Sequence, residues 1–421
     1  MVRSRSQTKK LIAALLCVIG GVFFGRSWIA EIPNSLARRA IAHKTPEKAL
    51  RILDWSERIG GSTAQTESLR ARACRRLGRW DDVTKHLKKA SDLGGDPALL
   101  QREDWLMKAQ SGQMMFAHRH RAQLLLDPRG DTEEICEAYV LGYISIQHFD
   151  EATRLIESWS ADYPDNAEPH YLKGLMLAEE NKLNLAEASF RKALELSSNH
   201  YQTRLALANT LLKERKEQEA LPHFQRCVDQ QPNTKAQLGL AKCLLAAGNL
   251  EDAKAVLETG TLAHPDDFNL HLELGRFLLN DNFEASRKAL ERAHKLQPNS
   301  SEAQYLLAQA LIRLGRKDEA TQYLNFVTRA NQQLAEMNNA LKKISDNSND
   351  VEARLQVGLI QMEFGTEREA LLWLQSVINL DPRNVQANLA LADFYQKKSA
   401  DSAHTADLAR YFRQAAETTS P

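Results

Sequence analysis

Ala152, Ala186, Ala220, Ala253, Ala285 and Ala320 open one recurring motif, a small residue followed in most cases four places on by a large apolar one. They recur at steps of 34, 34, 33, 32 and 35, and Ala370 opens the motif again 50 places later. A period of this length accommodates one helix, a turn and a second helix. Such a unit cannot bury its apolar stripe alone, so the chain is constrained to stack its units into an α-solenoid. The length of 421 residues then needs no second or third globular core, because an array grows along one axis. Aromatics at 7%, charged residues at 26% and only 19 glycines suit a helical protein. With 55 basic against 54 acidic side chains there is no net field to hold polyphosphate, and nucleic acid is not expected as a ligand.

Residues 133–166, 167–200, 201–233, 234–266, 267–300, 301–334, 351–384 and 385–418 each read as helix, turn, helix, turn. In the 167–200 unit, Gly174 is the small residue that lets two helices approach, and Ala186, Phe190 and Ala193 form one stripe of the second helix. Ala208, Ala241, Gly275, Ala308, Gly358 and Ala392 take the place of Gly174 elsewhere. Pro164, Pro232, Pro265, Pro298 and Pro382 follow second helices, where a residue without an amide hydrogen ends the helix. Upstream the pattern is degraded: 64–97 carries Ala71, Gly78, Trp80, Leu87 and Ala90 in register, 98–131 is a further unit, and 33–62 is a capping pair. Between Ala320 and Ala370, Leu334, Met337, Leu341 and Ile344 keep a helical spacing, which predicts that the second helix of the 301 unit is extended by several turns. The extension serves as filler that redirects the array, with a partner or dimer helix as the alternative.

From Ala64 to the C-terminus the chain resembles the tetratricopeptide repeat family. The resemblance implies a right-handed superhelix whose first helices line a concave groove for segments of other proteins. Carried onto this sequence, the groove-facing places hold Tyr171, Leu175 and Glu179; Leu205, Asn209, Leu212 and Lys213; and Leu238, Lys242 and Leu245. They continue with Leu272, Arg276 and Leu279; Tyr305, Gln309, Ile312 and Arg313; and Leu355, Leu359 and Met362. Apolar floors edged by polar residues suit a peptide with spaced apolar anchors. The family's carboxylate clamp for chaperone tails is not carried over, because Leu205 stands at the fifth place beside Asn209.

Arg3, Arg5, Lys9 and Lys10 precede an uncharged apolar run from Leu11 to Gly25. Trp28 spoils a cleavage site after Ala30, and Cys17 has no lipoprotein context, so an uncleaved anchor is expected over a cleaved signal peptide. The basic cluster favours a cytoplasmic N-terminus and an exported, periplasmic repeat region, with the cytoplasmic side as the alternative. The domain plan is a basic tail at 1–10, an anchor at 11–30, degenerate repeats at 31–131, a regular array at 132–334, an extended helix and polar break at 335–350, and a C-terminal pair at 351–421.

Cys74, Cys136, Cys227 and Cys243 show no C-x-x-C spacing and read as buried thiols. His118 and His120 are two places apart and point to different faces of a helix, while His264, Asp266, Asp267 and His271 read as a solvated helix cap. Asp81 and Asp82 are ordinary exposed helix acids. No phosphate loop and no nucleophile elbow is present, so no metal, cofactor, small-molecule substrate or enzymatic activity is expected. The expected function is a membrane-anchored scaffold that binds protein segments in envelope assembly or export. The alternative is an accessory subunit or assembly chaperone of an enzyme or secretion complex. The chain also resembles anchored repeat proteins that organise polysaccharide export, although no cysteine follows Cys243 to form the terminal metal knuckle of the lipopolysaccharide kind.

Overall fold

A computed structural model describes residues 25–398 and 403–417, and every regular element among them is helical. The segment read as an anchor, 11–30, lies outside the described residues up to position 24; Gly25 opens the first described helix. Among the described residues no helix is long and apolar enough to cross a membrane. The chain divides into two compact units, one ending at Lys216 and one beginning at Glu217.

Unit 1 contains α1 (Gly25–Ala42), α2 (Pro46–Gly60), α3 (Ala64–Arg76), α4 (Trp80–Asp92) and α5 (Pro97–Gln110). It continues with α6 (Met114–Ala117), a single 3₁₀ turn (His118–His120), α7 (Arg121–Leu126), α8 (Thr132–Ser145), α9 (Phe149–Asp162), α10 (Ala167–Glu179), α11 (Leu183–Leu196) and α12 (Tyr201–Lys213). Unit 2 contains α13 (Glu217–Gln230), α14 (Thr234–Ala246), α15 (Leu250–Ala263), α16 (Phe268–Leu278), α17 (Phe283–Leu296) and α18 (Ser301–Arg313). It ends with α19 (Lys317–Asp346), α20 (Val351–Phe364), α21 (Glu367–Leu380), α22 (Val385–Lys397) and α23 (Ala403–Glu417). Each unit is a stack of helix pairs, as an α-solenoid requires.

Local chemistry sets the pairs. Asn166, Asn233, Asp267, Ser300, Asp350 and Asn384 cap first helices by accepting a backbone N–H two or three places on, which satisfies donors the helix start would leave open. Within a pair the turn places its middle residue in the left-handed region, at Gly78, Gln147, Asn181, Gly248 and Gly315. A tight turn of this kind folds the second helix back along the first. The interface is then as close as the smallest residue permits. A Cβ on Gly174 would overlap the Phe190 ring, and one on Gly275 or Gly358 would press on Leu290 or Leu374. Ala186, Phe190 and Ala193 are all buried, as their stripe predicts.

Two expectations need correction. In the 267–300 unit the buried stripe is Ser286, Leu290 and Ala293, one place on from the register that begins at Ala285. Ser286 Oγ donates to Gly275 O at 2.7 Å, so a hydroxyl serves where alanine stands in other units. The second helix of 98–131 is broken into α6, the 3₁₀ turn and α7. Tyr139 donates its hydroxyl to Ala117 O at 2.8 Å, at the point where α6 gives way to the 3₁₀ turn. Arg121 Nη1 donates to the Tyr143 hydroxyl at 3.1 Å. With the second helix shortened, α5 lies directly on α8, and a Cβ on Gly142 would fall on the backbone of Ala109.

The extended second helix is α19, 30 residues long. Its C-terminal half is packed on α20 through Ala340, Met337 and Ile344 against Ala353 and Val357, with Phe326 and Phe364 rings 5.4 Å apart. Leu334 and Leu341, on the same spacing, remain exposed at 50% and 36%.

Candidate functional site

The faces presented by the first helices differ between the two units. In unit 1, α1, α3, α5, α8, α10 and α12 each touch the next and form a row. Lys44, in the turn after α1, lies 2.5 Å from Glu168 at the start of α10 and 3.7 Å from Glu137 on α8, although three and two helix pairs respectively intervene in the chain. A row whose ends meet is curved, and the side on which they meet is the inside. That inside is filled with ion pairs. Arg75 on α3, with no exposed side-chain surface, donates to Glu103 on α5, to Glu134 on α8 and, at 2.8 Å, to Gln110 Oε1. Arg72 pairs with Glu134 and, at 2.7 Å, with Asp131, and Arg76 meets Glu137 at 2.5 Å. His200 Nε2 lies 3.3 Å from Glu168 and extends the chain of contacts to α12.

Burial alone would push the Glu134 carboxyl up, but Arg75, Arg72 and Arg76 around it hold it down at about 2. Glu168 is likewise depressed against its burial, by His200 and Lys44. The expected floor residues of this unit lie beside the network. Tyr171 and Leu175 are half-buried against the core under α8 and α10, with the Tyr171 ring 5.3 Å from His200 and 6.2 Å from Phe190. Burial, with Glu168 next to it, raises the Tyr171 hydroxyl above the ordinary phenol range. Leu205, Asn209 and Leu212 are half-buried, and Asn209 gives its amide to Leu205 O at 2.8 Å within its own helix.

In unit 2 the neighbouring first helices α14, α16 and α18 carry a more open face. Tyr305 is 46% exposed and Ile312 40%; with half-buried Gln309 they occupy one face of α18 at i, i+4 and i+7. Lys242 and Arg276 are exposed, and Arg276 reaches across from α16 to Glu302 on α18. Arg313 lies over the Phe283 ring at 5.9 Å. Leu238 is half-buried against the α15–α17 core. Leu272 and Leu355 are corrected: at 4% and 3% exposure they belong to cores, with Leu307 and Leu374 respectively, and offer no side chain to a partner. Both face a neighbouring helix instead of solvent, a distinction their place in the repeat does not make.

The remaining candidates sort as packing and caps. Asp267 caps α16 through Leu270 N at 3.0 Å, Asp266 pairs with Arg292 at 2.5 Å, and His271 Nε2 is 3.0 Å from Pro265 O. His118 Nδ1 is 2.8 Å from the Tyr143 hydroxyl, while His120 stacks on Trp105 at 3.9 Å. No group of three or more His, Cys, Asp or Glu that could hold a metal is found among the described residues. Cys74, Cys136, Cys227 and Cys243 are all buried. One recurring contact is not visible in the repeat pattern: His271, Gln304, Arg354 and Asn388 each reach back six places to the carbonyl of Pro265, Pro298, Ser348 or Pro382, clamping the turn before the first helix.

Two family models, both described as tetratricopeptide repeat, match residues 167–200 and residues 211–274 and 277–344. The chain contains tetratricopeptide repeats. No curated protein sequence matches it. Among solved structures, it is similar to MamA (19% identity, 39% of this chain and 95% of that one, TM-score 0.34). YrrB, described as a TPR protein with an unusual peptide-binding site, aligns at 15% identity over 55% of this chain and 95% of that one, with a TM-score of 0.35. A tetratricopeptide repeat protein from Parabacteroides merdae aligns at 15% identity over 61% and 93%, with a TM-score of 0.36. At these identities and scores nothing those proteins do transfers to this chain.

Proposed function

We propose that this protein is a scaffold that binds segments of other proteins through the first-helix face of unit 2. The observation that carries the reading is the exposure of Tyr305 and Ile312, with Gln309 between them, on one side of α18. A large aromatic and a branched aliphatic left uncovered two turns apart, with Arg276 reaching the same helix at Glu302, offer the apolar anchors and polar rim that a helical or extended segment uses. Repeat proteins present such faces because each unit buries one side of a helix pair and leaves the other to ligands. We further propose that the run from Leu11 to Gly25, behind four basic residues, anchors the chain in a membrane with the repeats on the exported side, in envelope assembly or export.

A photo-crosslinking residue at position 305 in the full chain tests the first reading in cells. Discrete adducts are expected, and they should disappear when Gln309→Ala and Ile312→Ala are added. Identical adducts from a probe at exposed Glu258 on α15 would remove the case for this face. Carbonate extraction tests the anchor: recovery of the chain in the soluble fraction with a new N-terminus near Glu31 would overturn it.

A further inference from the structure

A second surface stands apart from α18 and borders the ion-pair network of unit 1 at Arg72, Glu103 and Asp131. Between α3, α5, the Gly94–Asp96 turn and the Arg129–Asp131 turn is a cavity of about 500 Å³. That volume is in the ordinary range for a bound small molecule or a few residues of peptide. Leu69, Leu99, Leu100 and Leu106 form its apolar wall, and Leu99 is left 44% exposed there.

The charges around it are unequal in what they have free. Each acid on the lining is already engaged by the protein itself. Asp96 accepts from Ala98 N at 2.9 Å as the cap of α5, Glu103 takes Arg75, and Asp131 takes Arg72. Arg102 is engaged as well, donating to Asp127 O at 3.1 Å and Pro128 O at 2.6 Å. Two arginines on the lining are engaged only in part. Arg38 has only Glu31, at 3.8 Å, and Arg129 gives its Nε to Asp127 and keeps both terminal nitrogens. The backbone places Arg129 there at a cost: its φ is 52°, followed by Gly130 at 85°, a left-handed pair that a bulky residue adopts only under constraint. The result is an apolar wall with two available guanidinium groups, complementary to an anion joined to an apolar body.

We propose that this cavity binds a protein segment in which an Asp or Glu adjoins a large apolar side chain, with the apolar group against Leu69, Leu99 and Leu100 and the carboxylate at Arg38 and Arg129. The chain's own N-terminal segment, with Arg3, Arg5, Lys9 and Lys10, has the wrong sign to occupy it. The proposal shares with the functional reading only that the ligand is protein, and it uses different residues in a different unit.

The test is selection of a phage-displayed random heptapeptide library on the full chain, followed by affinity measurement with synthetic copies of the enriched peptides. Enriched peptides are expected to pair an acid with a large apolar residue. Their affinity should fall roughly tenfold or more in the Arg38→Gln/Arg129→Gln variant, since guanidinium–carboxylate bonds are among the stronger polar contacts. Binding should also weaken in Leu99→Ser and stay unchanged in Tyr305→Ala. Arg38, Arg129 and Leu99 are all substantially exposed, so circular dichroism and melting of these variants should match the parent. Peptides lost in Tyr305→Ala and retained in the arginine variant would overturn this site while sustaining the α18 face. Absence of acid–apolar enrichment, with arginine-dependent binding to phosphatidylglycerol vesicles, would overturn it in favour of a lipid.

Discussion

Replacing Arg75 with methionine removes a charge and keeps a stem of similar length in a place with no solvent access. The guanidinium joins three first helices, through Glu103 on α5, Glu134 on α8 and Gln110 at the end of α5. Without it, two carboxylates whose side chains are each only 10% exposed are left with Arg72 between them and, for Glu134, Arg76 nearby. Removing one partner of a buried ion pair costs about 3 to 5 kcal/mol, because the other charge stays desolvated and uncompensated. The direction agrees with the Glu134 carboxyl, which is held well below its ordinary range in spite of burial, with Arg75 foremost among the arginines around it. For a unit of this size the loss should lower the unit 1 melting transition by roughly 10 °C. Calorimetry of the full chain, with hydrogen exchange followed peptide by peptide, reads both quantities; α3, α5 and α8 should lose protection while unit 2 keeps its own. Adding Glu134→Gln to Arg75→Met should recover part of the loss, because the stranded charge is gone. A full-strength Arg75→Met protein, or equal losses in unit 1 and unit 2, would refute the idea that this network holds the inner row together.

Acid should reveal the same network with a definite sign: a depressed carboxyl stabilises above its unfolded value, so the advantage of wild type over Glu134→Gln is complete above about pH 4.5 and fades as pH falls toward 2, whereas a pH-independent difference in urea midpoints would contradict it. Gly142→Ala should destabilise more than Gly174→Ala, about 3 kcal/mol or more against 1 to 3, because the first meets the backbone of Ala109 and the second the edge of a ring; Phe190→Leu should rescue only Gly174→Ala in thermal melts. Gln147, exposed at φ 59°, should accept glycine with a gain of up to about 1 kcal/mol and lose stability as valine, and a loss with both would show that the turn is not strained. Burial raises Cys74 and Cys243 to about 11 and Cys136 to about 12, so iodoacetamide at pH 8 should label them slowly in the folded chain and quickly in guanidinium; equal rates at Cys136 would remove the buried-thiol reading.

The sequence by itself determined the repeat and most of its parts, because those depend on contacts within one unit. Cap residues such as Asn166 and Asp267, the glycine at 174 and the prolines after second helices act on backbone only a few places away or on the partner helix of the same pair. The 30-residue α19 was legible for the same reason, since Met337 and Ile344 declare one continuous stripe. The pattern is silent where a polar side chain does an apolar one's work, as at Ser286, or where a break is held by a residue of the next helix pair, as Tyr139 holds the one at Ala117. The inner surface of unit 1 was decided only by tertiary structure. Lys44 and Glu168, or Arg75 and Glu134, are ordinary charged residues on ordinary helices until the row curves enough to bring them together. The candidate face of unit 2 is intermediate: the family places suggested Tyr305, Arg276, Gln309, Leu272 and Leu355 alike, and packing of adjacent pairs buried the last two while leaving Tyr305 and Arg276 open. Repeat position fixes which side of its own helix a residue occupies, whereas its access to a partner depends on how far the next unit leans over it, and that is a property of the stack.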